Sequence, residues 1–145
     1  MKLSENGEIT GGERILAADF GHVRVGLALS DPMKIIASPL TTLKNDDGFL
    51  AALREIIDSE GVKTVVLGDP GEKPSNKEIR TKILKFKVQL ESMGLIVVLW
   101  DETYTSEMAK QMVLETVKSR KKRQNKGLVD MNAAVIILQE YLRTV

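Results

Sequence analysis

The chain contains no cysteine, which excludes disulfides and thiolate metal sites. Its one histidine, His22, leaves no material for a histidine-based zinc site. Aromatic residues make up only 4%, so a core has to come mainly from Leu, Ile, Val and Ala. No apolar run approaches the roughly 20 residues that span a bilayer. The stretch from Met1 to Arg14 also lacks the apolar centre of a secretory signal. A cytoplasmic protein with no membrane partner is expected. No internal repeat or low-complexity segment is evident.

What is present is an ordinary globular balance, 43% hydrophobic and 28% charged over 145 residues, the size of one domain. The polar, glycine-punctuated residues 1–13 read as a flexible tail and residues 14–145 as a single domain. Arg14–Asp19 is a short apolar run ending in an acid, as in a buried strand. After a turn in which Gly21 can supply a positive φ, Val23, Val25, Leu27 and Leu29 alternate as a returning strand that stops at Asp31-Pro32. Lys34–Leu40 reads as a third strand, with Pro39 favouring the sheet edge. Asp47–Glu60 has helical spacing, with Asp46 or Asp47 as cap and Gly61 as terminator. Val62–Leu67 is a nearly all-apolar strand, Gly68–Asn76 a loop, Lys77–Met93 a helix and Leu95–Trp100 a strand. A helix from Thr105 or Ser106 to about Ser119 and a last one over Val129–Leu142 complete the order β-β-β-α-β-α-β-α-α. That order is a mixed α/β sheet of five strands, three hairpin-linked and then two alternating with helices, with the helices packed on it.

The formal net charge of +1 announces no partner, but its distribution is uneven. Lys118–Lys126 carries six cations and no acid. Such a run either binds phosphates or is a solvated loop. Asp19 and Glu102 stand just past two strands, and Asp130 near the start of the last helix. Parallel strands bring their carboxyl ends to one edge, where three such carboxylates could converge. Their mutual repulsion is removed by a hard divalent cation, and an oxygen-only donor set points to Mg²⁺ or Mn²⁺. Two such ions can activate water for an in-line phosphodiester attack. Each acid also has a plainer role: Asp19 as a turn former, Glu102 and Asp130 at helix starts. His22 is either a general base or a turn residue. Phe20 and Trp100 could stack bases, although Trp100 ends an apolar strand and suits a core.

Taken together, Ile15–Pro32 (with the pattern D-x-G-x-x-R-x-G-x-A-x-S-D-P), Ala37-Ser38-Pro39, Asp101-Glu102 with Thr105, and Val129-Asp130 with Ala133-Ala134 and Ile137-Leu138 resemble the YqgF/RuvX family. These are bacterial RNase H-like proteins, also described as pre-16S rRNA nucleases or Holliday junction resolvase-like proteins. The resemblance runs from Arg14 to Leu142. It implies an RNase H-like fold and metal-dependent cleavage at the 5′ end of precursor 16S rRNA. Asp19, Glu102 and Asp130 would then be both catalytic and metal-binding. Arg24, Arg120, Lys121, Lys122, Arg123 and Lys126 are expected to contact nucleic acid, Arg24 alternatively bracing the hairpin. Precursor rRNA is the implied partner, with branched DNA and the ribosome or its precursor as further candidates.

Two departures stand out. Thr103 replaces the arginine that usually follows the Asp-Glu pair, removing a phosphate clamp. The loop Gly68–Asn76 also differs, placing Asp69 at a strand end either as a fourth metal ligand or as a loop acid. A Holliday junction endonuclease, a non-catalytic nucleic-acid-binding module and an actin-like phosphotransferase are the alternatives. The last rests on the similarity of Asp19–Ala28 to a phosphate-binding segment of such ATPases, which need two domains and a second glycine-rich loop.

Overall fold

The computed structural model describes residues 2–3, 9–10, 13–101 and 126–145. The helix expected up to Ser119 and all of the basic run except Lys126 lie outside the described residues. Within the expected tail, β1 (Lys2–Leu3) and β2 (Ile9–Thr10) pair antiparallel as a small ribbon separate from the main sheet. The main sheet has five strands in the order β5-β4-β3-β6-β7, where β3 is Arg14–Phe20, β4 Arg24–Ser30, β5 Ala37–Lys44, β6 Val62–Asp69 and β7 Ile96–Asp101. Strand β3 pairs antiparallel with β4 and parallel with β6, and β6 pairs parallel with β7. This is the mixed α/β sheet that the order of elements implied.

The apolar character of β3 follows from its central place. Ile15, Leu16, Ala17 and Ala18 are all buried, because both faces of the strand are covered. On one face Leu16, Ala18, Val65 and Leu67 meet helix α1 (Phe49–Glu60) and helix α2 (Lys77–Ser92). Each helix contributes a stripe at helical spacing: Phe49, Leu53 and Ile57 from α1, and Ile83, Phe86 and Leu90 from α2. On the other face Ile15, Ala17, Ala28 and Val66 meet Ala134, Ile137, Leu138 and Leu142 of the C-terminal helix, Lys126–Leu142. That helix begins three residues before the expected Val129, so Lys126 belongs to it rather than to a loop.

The third strand lies at the sheet edge, as Pro39 suggested, but covers Ala37–Lys44 instead of Lys34–Leu40. Lys34–Ile36 cannot extend as a strand because Asp31 captures the amides. The Ile35 and Ile36 N–H groups donate to Asp31 Oδ1 at 2.7 and 2.8 Å, and Lys34 adopts φ 60°. Gln139 completes the corner, accepting from the Ala37 N–H at 3.1 Å and donating to the Ile35 carbonyl at 3.2 Å. At the far end Thr41–Lys44, β-branched in part, continue the pairing with β4 past a register shift. Helix α1 also starts two residues late. Asp46 Oδ1 accepts from the Gly48 N–H at 3.0 Å and so forms a turn before the helix rather than capping it. Gly61 closes α1 in the left-handed region as expected, at φ 67°.

The Ser30-Asp31-Pro32 motif is architectural. Ser30 is the one buried polar residue among those described. Its Oγ accepts from the Ile15 N–H at 2.8 Å and donates to the Asp31 carbonyl at 3.0 Å, beside the irregularity where β3 enters the sheet. Replacing Ser30 with Ala should cost about 1–3 kcal/mol, because it strands the buried Ile15 donor. Urea denaturation would measure it, and no loss of stability would contradict this role. The amides of Ile36 and then Ile35 hold the Asp31 carboxyl below its ordinary value of 3.8. A depressed carboxyl stabilises the fold above the unfolded pKa and ceases to do so as pH falls through the folded one. The stabilising effect of Asp31 should therefore persist to below pH 3.8. An NMR titration of its side chain would check this through a midpoint lower than that of an unstructured peptide.

Candidate active site

Three parallel strands, β3, β6 and β7, deliver their carboxyl ends to the same edge. Asp19 is the penultimate residue of β3 and sits half-buried opposite Gly26 of β4. Side chains alternate along a strand, so Asp19 shares the face of Ala17, the face covered by the C-terminal helix. Trp100 of β7 lies on that face too, in register with Gly68 of β6, and Val66 precedes Gly68 on the same side. Asp19 and Trp100 thus bracket one row at the strand ends, separated by Gly68, which has no side chain.

Trp100 acts as a core residue. Its indole N–H donates to Glu140 at 3.0 Å and its ring meets Tyr141 edge-on, centroids 5.8 Å apart. Phe20 faces the other way and packs against Phe49 and Phe86. Neither aromatic is presented for base stacking. The turn after Asp19 is held tightly: the Gly21 N–H donates to the Arg24 carbonyl at 2.9 Å, and Asn45 Nδ2 donates to the Gly21 carbonyl at 2.7 Å. Gly21 is needed here for space, not for the positive φ that the sequence suggested. It is absent from the positive-φ glycines, and a Cβ on it would meet the Arg24 oxygen at 2.7 Å. Arg24 stands half-buried across from Lys44, at the start of β4. His22 is an exposed turn residue whose Nδ1 accepts from Lys82 Nζ at 3.1 Å.

Asp69 turns to the face opposite Asp19, toward α2. Its carboxylate accepts from Arg80 Nε at 3.2 Å, from Arg80 Nη2 at 3.4 Å and from the Gly71 N–H at 3.0 Å. Asp69 therefore anchors α2 and its loop to the end of β6, in register with Asp101. This pairing was not visible in the sequence, where an acid and an arginine eleven residues apart across a loop carry no signature. Among the described residues no three His, Asp or Glu side chains form a metal-holding group. Glu102, Arg120, Lys121, Lys122 and Arg123 lie outside the described residues. Asp130 and Lys126 belong to the described backbone of the C-terminal helix.

A family model described as RuvX, Holliday junction resolvase, matches residues 13–144. The chain belongs to the RuvX family. A relative in Flavobacterium psychrophilum named "Putative pre-16S rRNA nuclease" is 42% identical over 134 residues, covering 89% of this chain and 96% of that one. A relative of the same name in Porphyromonas gingivalis is also 42% identical, over 132 residues, with coverage of 89% and 95%. The RuvX chain shares its fold with T. thermophilus RuvC, solved in complex with a Holliday junction substrate. The TM-score is 0.58 at 15% identity, covering 91% of this chain and 94% of that one. The Fowlpox virus resolvase, solved with Holliday junction DNA, gives a TM-score of 0.56 at 16% identity, with coverage of 90% and 97%.

Gly21 offers a test of the site's local geometry. Gly21→Ala should destabilise the RuvX chain by about 1–3 kcal/mol, because the added methyl overpacks against the backbone of Arg24. Thermal unfolding would measure this. Unchanged stability would mean the turn relaxes freely.

Proposed function

We propose that this protein is a divalent-metal-dependent nuclease that processes the 5′ end of precursor 16S rRNA, acting in the cytoplasm on the ribosomal precursor. The observation that carries the reading is Asp19, set on the central strand at the edge where all three parallel strands end. It is joined there by a family match over nearly the whole chain and by relatives named for this activity.

Asp19, Glu102 and Asp130 are the proposed catalytic carboxylates. Glu102 directly follows Asp101, the last residue of β7, in the sequence. Asp130 belongs to the first part of the C-terminal helix, whose Ala134, Ile137 and Leu138 meet the face of Ala17. The donor set is oxygen only and carries three negative charges. That suits Mg²⁺ or Mn²⁺, which would polarise the phosphodiester and supply an activated water. The protein's own part is to supply these carboxylates. Arg24, Arg120, Lys121, Lys122, Arg123 and Lys126 are the proposed phosphate contacts.

Four-way DNA presents phosphodiesters to the same carboxylates, so the substrate panel should include it beside precursor rRNA. Asp19→Asn is expected to reduce cleavage by at least a hundredfold, while substrate affinity in an anisotropy titration stays within about threefold. Calorimetric titration with Mn²⁺ should show the matching loss of metal binding. Cleavage by Asp19→Asn protein at the wild-type rate would remove the assignment.

A further inference from the structure

The sequence directs attention to the cations at 118–126, but the described structure holds a second concentration of charge. Residues 73–87 contain Lys73, Lys77, Arg80, Lys82, Lys85 and Lys87 against the single acid Glu78. Most of them sit on α2, whose apolar stripe is buried while the rest of the helix faces outward.

Two cavities lie against this helix. One, of about 350 Å³, lies beside the end of β6 and is lined by Lys73, Pro74, Lys77, Arg80 and Leu84, with Glu72 at its rim. The other, of about 430 Å³, lies beside the end of β3, where His22, Lys82, Lys85 and Gln89 surround the edge of Phe20 and Phe86. Asp46 and Asp47 border that second cavity on the side away from the helix, with the Gly48 amide donating to Asp46 Oδ1.

The pairing of these cations is uneven. Arg80 is committed to Asp69, Lys82 lies 3.9 Å from Glu78, and Lys87 pairs with Glu91. Lys73, Lys77 and Lys85 have no ion-pair partner among the described residues, and all three are exposed. Three unneutralised ammonium groups on one rigid helix and its leading loop repel one another, a cost removed when phosphates lie between them. The bidentate Asp69–Arg80 contact fixes this helix to the strand end next to β3. The spacing between the lysines and the edge carrying Asp19 is therefore set by the fold and not by a mobile side chain.

We infer that α2 and its leading loop form a second backbone-binding track, in which Lys73, Lys77 and Lys85 each contact a phosphate of the nucleic-acid strand leaving the carboxylate site. The inference rests on the nuclease reading for the direction of that strand. The ligand is the sugar–phosphate backbone itself. Contacts to phosphate carry no sequence information directly, so the track should be tolerant of sequence.

The test uses the full chain and a fluorescein-labelled single-stranded RNA of about 30 nucleotides, with anisotropy titrations across a KCl series. Each phosphate contact contributes roughly 0.7 to the slope of log affinity against log salt for single strands. Lys73→Gln/Lys77→Gln/Lys85→Gln protein should therefore lose about 2 from that slope and bind at least tenfold more weakly. Lys→Arg replacements at the same positions should restore both, and the Lys85→Gln single variant should lose about a third of the slope change. A triple variant with the wild-type slope would overturn the proposal. So would a variant that retains RNA affinity but loses binding to phosphatidylserine vesicles, since the surface would then serve membranes. The two readings fail separately: a wild-type protein that cleaves nothing, yet shows the slope change, would sink the nuclease assignment alone. Normal cleavage with an unchanged slope would sink this track alone.

Discussion

The parallel pairing of β3 with β6, and of β6 with β7, is the constraint on which the rest depends. It forces both faces of the central strand to be covered, so Ile15–Ala18 must be apolar and small enough for helices to approach from either side. The same pairing sends three strand ends to one edge. A polar residue becomes tolerable on β3 only where the covering layers end, and Asp19 is the first acid at that point. The candidate site is thus the place where the core stops, and its position follows from burial before any chemistry is considered.

Much of this was legible in the sequence because it rests on local periodicity. The alternating hairpin, the two apolar parallel strands and the helices with Leu53 and Ile83 on their buried stripes all announce themselves by spacing. Asp19 was legible for the same reason, standing at the end of an apolar run. What escaped were contacts made by polar side chains over long sequence separations. Asp31 withdraws two amides from what looked like a strand, Gln139 reaches across 102 residues to Ala37, and Arg80 takes up the acid that had suggested a further metal ligand. Such contacts have no period and no required spacing. Gly21 shows a subtler limit: glycine can be demanded by a torsion angle or by a neighbour's proximity, and only coordinates tell the two apart.

The motif shared with the RuvX family divides accordingly into two kinds of residue. Ser30 and Asp31 serve the framework, one closing a buried donor at the start of β3 and the other shaping the corner before β5. Gly21 shapes the turn that follows Asp19. Asp19 stands in that stretch as the acid at the strand edge, half-buried where the apolar run ends. Matching most of this signature therefore speaks first to architecture.

The outermost strand has a bearing on how the chain survives its own synthesis. Among the described strands β5 stands at the margin of the sheet, the position from which nascent proteins can template one another into fibrils. Pro39 sits in the middle of that margin and brings no amide hydrogen, while the adjacent register shift bends the ribbon away from flatness. The border is thereby made a poor surface for polymerisation. A small chain emerging from the translation machinery, with no disulfide to lock it, carries its own safeguard against sticking to its copies.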